Sequence, residues 1–312
     1  MNAGLRKIRI ALVGLGKIAR DQHIPALAAS DEFELVGVAS PHHKLDTLPS
    51  YVDIESLLEA VPGVAAVSLC TTPQVRYEIA RYAVERGLHV LLEKPPAVTV
   101  SEVLALDALA RRRGVAMLAS WHSRHAPGVE PARAWLAKRY IRGVAVHWQE
   151  DVRVWHPGQT WIWKAGGLGV FDPGINALSI LTRIIPSVLL LKQAELRYPA
   201  NCETPIAARV LLTDTNGVPA RVELDFLHAG APRWDIDVDT DDGRLSLSRG
   251  GAELRLGDQA VPRLTGEEYP ALYGHFAALV HSQARDVDVT PLQLVADAFL
   301  CGQRVEVAPF VE

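Results

Sequence analysis

Three stretches of the chain carry residue types in patterns that chemistry needs. Gly14-Leu15-Gly16-Lys17-Ile18-Ala19 follows a short, largely apolar run, Ile8–Val13, and opens a helical stretch to about Ala29. It fits the Gly-x-Gly-x-x-Ala form of a dinucleotide fingerprint. Gly14 permits the tight turn, Gly16 lets a pyrophosphate approach the backbone, small Ala19 allows close helix–strand packing, and the helix N-terminus favours phosphate charge. The bland alternative is an ordinary Gly-rich turn, but the position between a first strand and a first helix favours a nucleotide. Glu93-Lys94-Pro95-Pro96 follows a second apolar run, His89–Leu92. Ligands of open parallel sheets lie beyond the carboxyl ends of the strands, so Lys94 is expected to point into a cofactor crevice, its backbone biased toward extended by Pro95. A lone lysine after a strand is usually a surface residue; here it coincides with the fingerprint and with Thr72-Pro73 after another strand. The expected cofactor residues are Gly14, Gly16, Lys17, Ile18, Thr72, Pro73, Glu93 and Lys94. The third stretch holds Asp172 and Asn176, four apart and therefore on one face of a helix. Asp172 lies near the helix start, where the dipole favours a carboxylate. Capping alone would explain Asp172 but not the Asn one turn on.

These residues need elements to hold them. Strands are predicted at Ile8–Val13, Phe33–Ala39, Val64–Cys70, His89–Leu92 and Val115–Ala119, with helices between them, including Ile54–Ala60, Pro73–Arg86 and one capped by Ser101 and stopped by Gly114. Such alternation argues for a parallel sheet covered on both faces. The rhythm changes near residue 123. A helix at Gly128–Ala137, a strand at Gly143–Glu150, a Trp/Gly-rich loop at Val154–Val170 and a helix at Asp172–Ile184 follow, then antiparallel strands from Val188 to Leu256 and closing helices at Glu267–Ser282 and Pro291–Gln303. The reading is therefore an α/β chain with a dinucleotide-binding domain over 1–123 and a second domain over 124–312, whose last helix is free to pack back on the first.

Composition limits the alternatives. The 312 residues are 49% hydrophobic and 22% charged with a formal charge of −4, which suits a globular protein and gives no general affinity for nucleic acid or an anionic membrane. No apolar run is long enough to span a bilayer. Three scattered cysteines, Cys70, Cys202 and Cys301, make neither a disulfide framework nor a zinc site. A reduced, cytoplasmic, metal-free protein is expected. Ser40-Pro41-His42-His43-Lys44 at the tip of the second strand lacks the acid that would bind an adenosine ribose diol; Ser40 and His42 are either acceptors for a 2′-phosphate or plain solvated loop residues, so NADP is permitted and NAD is not excluded.

With these motifs the chain resembles the Gfo/Idh/MocA family of NAD(P)-dependent sugar oxidoreductases, over essentially its whole length. The resemblance implies an N-terminal Rossmann domain and a C-terminal α+β domain with an open, largely antiparallel sheet. The runs Gly16–His23, Trp121-His122-Ser123-Arg124, Trp155-His156-Pro157-Gly158-Gln159 and Phe171–Ser179 are similar to the bacterial members that oxidise L-arabinose or D-galactose at C1 to the lactone. Two departures from the wider family stand out: Asn176 replaces its usual His, and Tyr77 replaces another.

Six of the seven tryptophans lie between Trp121 and Trp163. Sugars stack C–H faces on indole and pair their hydroxyls with donors and acceptors. Trp155, in a Gly/Pro-flanked loop, is the expected active-site aromatic; Trp135 and Trp148 read as core; Trp161 and Trp163 are equivocal; Trp234 joins by resemblance. Asp172 is expected to take the C1 hydroxyl proton and Lys94 to stabilise the developing oxyanion or share that proton. His122 and Asn176 would orient the ring, and Glu150 and His156 would read hydroxyls further round it. The open sheet predicts a homodimer or higher oligomer. Oxidation of another polyol, reduction of a keto-sugar, and a non-catalytic cofactor sensor are the competing readings.

Overall fold

The computed structural model describes residues 7–312. The chain forms two compact units, one made of residues up to Ser120 with Tyr269–Val289, the other of Trp121–Glu268 with Thr290–Glu312.

The first unit carries strands β1 (Ile8–Val13), β2 (Phe33–Ala39), β3 (Ser50–Tyr51), β4 (Ala66–Leu69), β5 (His89–Leu92) and β6 (Met117–Ala119), and helices α1 (Ile24–Ala28), α2 (Ile54–Ala60), α3 (Pro73–Glu85) and α4 (Val100–Arg113). With the short strand Arg285–Asp286 they make a seven-stranded sheet in the order Arg285–Asp286, β6, β5, β4, β1, β2, β3, parallel throughout. Its strands are near-continuously apolar because both faces are covered. Side chains alternate between two cores: Ala11, Val13, Val90 and Leu92 lie in one with residues of α2, α3 and α4, while Ile10 and Leu91 lie in the other. The chain leaves β1 for β2 on one side and reaches β4 on the other, so the sheet's switch point lies at the end of β1, beside the fingerprint.

The second core is closed by the helix Glu268–Ser282, whose Tyr269, Leu272, Tyr273 and Phe276 pack with Ile10, Phe33, Leu91 and Leu118. The helix that returns to the first unit is thus the penultimate one; the last, Thr290–Cys301, which the sequence left free to do so, groups with the second unit. Both helices are apolar enough to pack on either unit, and periodicity alone does not choose. A second correction concerns α4. Thr99, not Ser101, is its N-cap; the Thr99 side chain accepts from the Glu102 N–H while the Glu102 carboxylate accepts from the Thr99 N–H, a reciprocal cap of about 1 kcal/mol.

The second unit contains α5 (Val129–Leu136), β7 (Ile141–Gln149), α6 (Val152–Trp155), α7 (Phe171–Ile184), and strands β8 (Leu189–Pro199), β9 (Ala207–Asp214), β10 (Pro219–Asp225), β11 (Arg233–Thr240), β12 (Gly243–Ser248), β13 (Glu253–Leu256) and β14 (Gln259–Ala260). With Gln303–Val307 they form a nine-stranded sheet in the order β14, β13, β12, β11, β7, β10, β9, β8, Gln303–Val307. It is antiparallel except where β10 meets β7 and Gln303–Val307 meets β8. Val144, Val146, Val222, Leu224, Ile236 and Val238 are buried and alternate with exposed or half-buried residues, among them His147, Arg209, Arg221, Glu223 and Asp239, so one face is core and the other is open. α7 presses on the core face: a Cβ at Gly174 would lie 2.6 Å from Leu224 Cδ1. The segment expected as a plain loop, Val154–Val170, contains the end of α6 and a further helical turn, Thr160–Trp163. Among the described residues no helix is long and apolar enough to cross a membrane.

Candidate active site

In the first unit the predicted cofactor residues gather at the carboxyl ends of β1, β2, β4 and β5. Gly14 has φ +92°, and a Cβ there would sit 2.6 Å from the Thr71 backbone nitrogen, so only glycine serves this turn. Gly16 is different. A Cβ on it would meet nothing within 4 Å, which leaves the backbone open to a pyrophosphate. Lys17 is exposed and pairs with Asp21 one turn on; Ile18 is half-buried against the second core. Thr72 occupies the N-cap of α3 and Pro73 its first position. The buried hydroxyls of Thr71, after β4, and Ser120, after β6, find no hydrogen-bond partner among the described residues. Open space at Gly16 and unpaired hydroxyls at the strand ends fit a bound dinucleotide. We predict that Gly16→Val leaves the melting temperature within a few degrees of the parent but raises the cofactor Kd by about tenfold or more, a loss of about 1.4 kcal/mol. Fluorescence titration checks this, and a Kd within twofold of the parent would place the cofactor elsewhere.

At the tip of β2, His42, His43 and Lys44 are exposed, as a 2′-phosphate site requires. Ser40 is largely buried, its N–H donating to the Tyr51 carbonyl at 2.9 Å. Arg20, which no sequence pattern singled out, lies 3.5 Å from the Lys44 carbonyl through Nη2 and adds a cation to this loop.

Glu93 departs from expectation. Its carboxylate is turned into the core, where Oε1 accepts from the Tyr269 hydroxyl at 2.7 Å and meets His23 Nε2 at 3.3 Å. His23 Nδ1 lies 2.7 Å from the Tyr273 hydroxyl, which donates to Ser68 Oγ at 3.0 Å. Through Oε1 Glu93 is anchored in the core, which the sequence reading of it as a cofactor residue did not include. The sequence hid this network since its members are up to 250 residues apart. Lys94, the next residue of the motif, is half-buried.

Burial by itself lowers the His23 pKa; Cys70, Tyr273 and the hydrogen bond to Glu93 outweigh it and hold the pKa well above 6.5. A raised folded-state pKa stabilises the fold fully below the unfolded value, and that contribution is lost as pH rises through the folded value. His23→Gln is therefore expected to cost about 1–3 kcal/mol by leaving buried partners unsatisfied. The gap from the parent should be largest at pH 6 and shrink toward pH 10. Denaturant unfolding across that range tests it, and a pH-independent gap would contradict a charged His23.

In the second unit the structure brings together most of the predicted substrate residues. Asp172, almost fully buried, sits in the first turn of α7 with its N–H donating to the Gly169 carbonyl at 2.8 Å. His156 follows α6. Its Nδ1 lies 3.7 Å from Asp172 Oδ2 and its Nε2 2.8 Å from Glu150 Oε1. The other Glu150 oxygen accepts from Trp234 Nε1 at 2.7 Å. Trp155, 41% exposed, packs edge-on against Trp234 with ring centroids 4.8 Å apart. Indole donates only, so Glu150 accepts on that side; its first effect is to orient His156 and Trp234. The imidazole beside Asp172 thus comes from the loop, while the helix position four on carries half-buried Asn176. His122 is engaged with Glu268, Nδ1 to Oε2 at 2.5 Å. Trp148 is core, as expected. Trp163 packs against Phe226 and Phe310.

The loop bearing Trp155 and His156 is tied down by the end of the chain. The Gly158 N–H donates to Glu312 Oε1 at 2.7 Å, Arg153 Nη2 donates to the Val311 carbonyl at 3.1 Å, and the Phe310 ring lies 5.0 Å from Trp163.

A parallel sheet with a glycine fingerprint at its switch point defines an NAD(P)-binding oxidoreductase domain. Residues 8–120 match the model of the oxidoreductase family with an NAD-binding Rossmann fold, Gfo/Idh/MocA. The chain is 42% identical over 308 residues to the galactose 1-dehydrogenase of Pseudomonas fluorescens, covering 99% of this chain and 100% of that protein. It is 49% identical to the D-galactose-1-dehydrogenase of Rhizobium etli, whose crystal structure superposes with a TM-score of 0.94 over 98% of this chain and 99% of that one. A 3-ketoreductase from Actinomadura kijaniata in complex with NADP shares the fold at 20% identity, with a TM-score of 0.82 over 97% and 100% of the two chains. The chain belongs to the Gfo/Idh/MocA family of oxidoreductases. It is an NAD(P)-dependent enzyme.

Proposed function

We propose that this enzyme oxidises an aldopyranose of the galactose configuration at C1, giving the aldonolactone. D-Galactose and L-arabinose are the candidate substrates: they share ring stereochemistry and differ by one exocyclic CH₂OH. The observation that carries the reading is the second unit's cluster, in which a buried Asp172 carboxylate adjoins His156, itself held by Glu150 and Trp234, with the Trp155 indole exposed beside them. An apolar wall next to convergent polar groups is what a pyranose ring needs. The full-length likeness to two galactose 1-dehydrogenases supports the same substrate class.

When bound, NAD(P)+ supplies the hydride acceptor. Gly14, Gly16, Lys17, Ile18, Thr72 and Pro73 would hold its pyrophosphate side, with His42 and Ser40 toward the adenosine ribose. Asp172 takes the C1 hydroxyl proton, since charge would otherwise build on the oxygen as hydride leaves. Lys94 stabilises the developing oxyanion or shares that proton. Asn176 and His122 orient the ring, His156 and Glu150 read its hydroxyls, and Trp155 and Trp234 cover its C–H face.

Initial rates with D-galactose, L-arabinose, D-fucose and D-glucose, each with NAD+ and NADP+, test the proposal. Turnover of the first three with lactone as product is expected; turnover only of a polyol or keto-sugar overturns it, and cofactor binding without any turnover would indicate a sensor. The same reading places the enzyme in the cytoplasm, where Cys70, Cys202 and Cys301, all unbridged, stay reduced. It also has the open, charge-studded sheet face pair two copies; light scattering at micromolar concentration should return a dimer or larger species, and a monomer overturns that part.

A further inference from the structure

Arg76, on the first turns of α3, is almost fully buried. Its guanidinium bonds three main-chain carbonyls. Nη1 donates to those of Glu93 and Pro95, and Nη2 to that of Thr71. The first two are the carbonyls immediately before and after Lys94. The third lies in the segment after β4, where a Cβ on Gly14 would collide. From the other side, the Glu93 side chain is fixed by His23 and Tyr269. The backbone of residue 94 is thus pinned at its preceding carbonyl, at its following carbonyl and through its neighbour's side chain.

Only arginine makes this clamp. A guanidinium presents five donors in a rigid planar fork and reaches several carbonyls at once, whereas an ammonium is a single point at the end of a flexible stem. Burying that charge is costly unless it is well hydrogen-bonded, and here both terminal nitrogens donate to main chain around Lys94. The helix supplying it starts at Thr72-Pro73, so the clamp couples two loops of the cofactor site.

We propose that Arg76 is a positioning residue that fixes the aim of the Lys94 ammonium. This rests on the assignment of Lys94 to oxyanion stabilisation or proton sharing. Arg76→Lys keeps the helix start at Thr72-Pro73 and the fingerprint glycines in place, so the loss of aim at residue 94 should fall on kcat. A misplacement of about 1 Å in a reacting group can cost about 10²-fold.

The test is a double-mutant cycle on the full chain with Arg76→Lys and Lys94→Ala, reading kcat, sugar KM and cofactor Kd. Arg76→Lys should lower kcat by about 10- to 100-fold with KM and Kd within about twofold, and should cause no further loss in the Lys94→Ala background. Arg76→Ala, assayed with and without millimolar guanidinium, is the second arm; guanidinium should restore part of its kcat and leave the parent unchanged. Parent-like kcat in Arg76→Lys, or an equal loss in both backgrounds, overturns the proposal, as does the absence of rescue when Arg76→Ala is folded and binds cofactor. If Lys94→Ala itself turns over normally, the role of Lys94 fails; if Lys94→Ala is impaired and Arg76→Lys is not, only the clamp fails.

Discussion

Asp172→Asn should bind NAD(P)+ with unchanged affinity and turn over sugar about 10²–10⁴-fold more slowly, the usual scale for a lost general base, or about 3–5 kcal/mol of barrier. Several features of its setting make this the largest effect expected in the second unit. The side chain is almost fully buried, and His156 Nδ1 lies 3.7 Å from its Oδ2. It lies in the first turn of α7, where the positive end of the helix favours a carboxylate. Gly174 two residues on keeps α7 against Leu224 of β10, which fixes the height of the carboxylate above the sheet. Asparagine keeps the volume and gives up the basicity, so folding and cofactor binding serve as internal controls. Near-normal kcat in a folded Asp172→Asn protein would remove this carboxylate from the chemistry.

The parts of the site that were legible in the sequence are those encoded locally. The fingerprint announced itself because its glycines, their spacing and the flanking strand lie within a dozen residues, and Gly14 proved obligatory by contact. Asp172 and Asn176 were legible because helical spacing turns four residues of sequence into one face. The parallel sheet was legible from alternation, down to β1, β2 and β5 with the bounds expected. What was not legible is what long-range contact decides. Glu93 reads in sequence as a cofactor residue, and only the positions of His23, Tyr269 and Tyr273 show that its carboxylate is anchored in the core. The departure of Asn176 from the family pattern left the site without a helical imidazole; the structure supplies His156 from a loop, next to Asp172, which no spacing rule connects. Arg76 was hidden for the same reason, since a buried guanidinium bonded to carbonyls leaves no pattern in a sequence. Nor does a strand pattern distinguish β10 parallel to β7 from an antiparallel neighbour.

Lys94→Ala should likewise retain cofactor binding and lose about 10²–10⁴ in kcat. Just past the end of β5, the Glu93 side chain goes into the core and Lys94 is half-buried. Anchored on its preceding residue and clamped at its flanking carbonyls, it is pre-organised, and a pre-organised charge stabilises a developing oxyanion without a reorganisation cost at the moment of reaction. The two roles open to it separate experimentally. Lys94→Arg keeps a positive charge but cannot give up a proton near neutral pH. If charge alone matters, that variant should recover a large part of the loss seen in Lys94→Ala; if the ammonium shares the proton, it should not, and added small primary amines should rescue Lys94→Ala instead. Steady-state rates for the three proteins at saturating cofactor decide between them, and a Lys94→Ala enzyme as fast as the parent would exclude both.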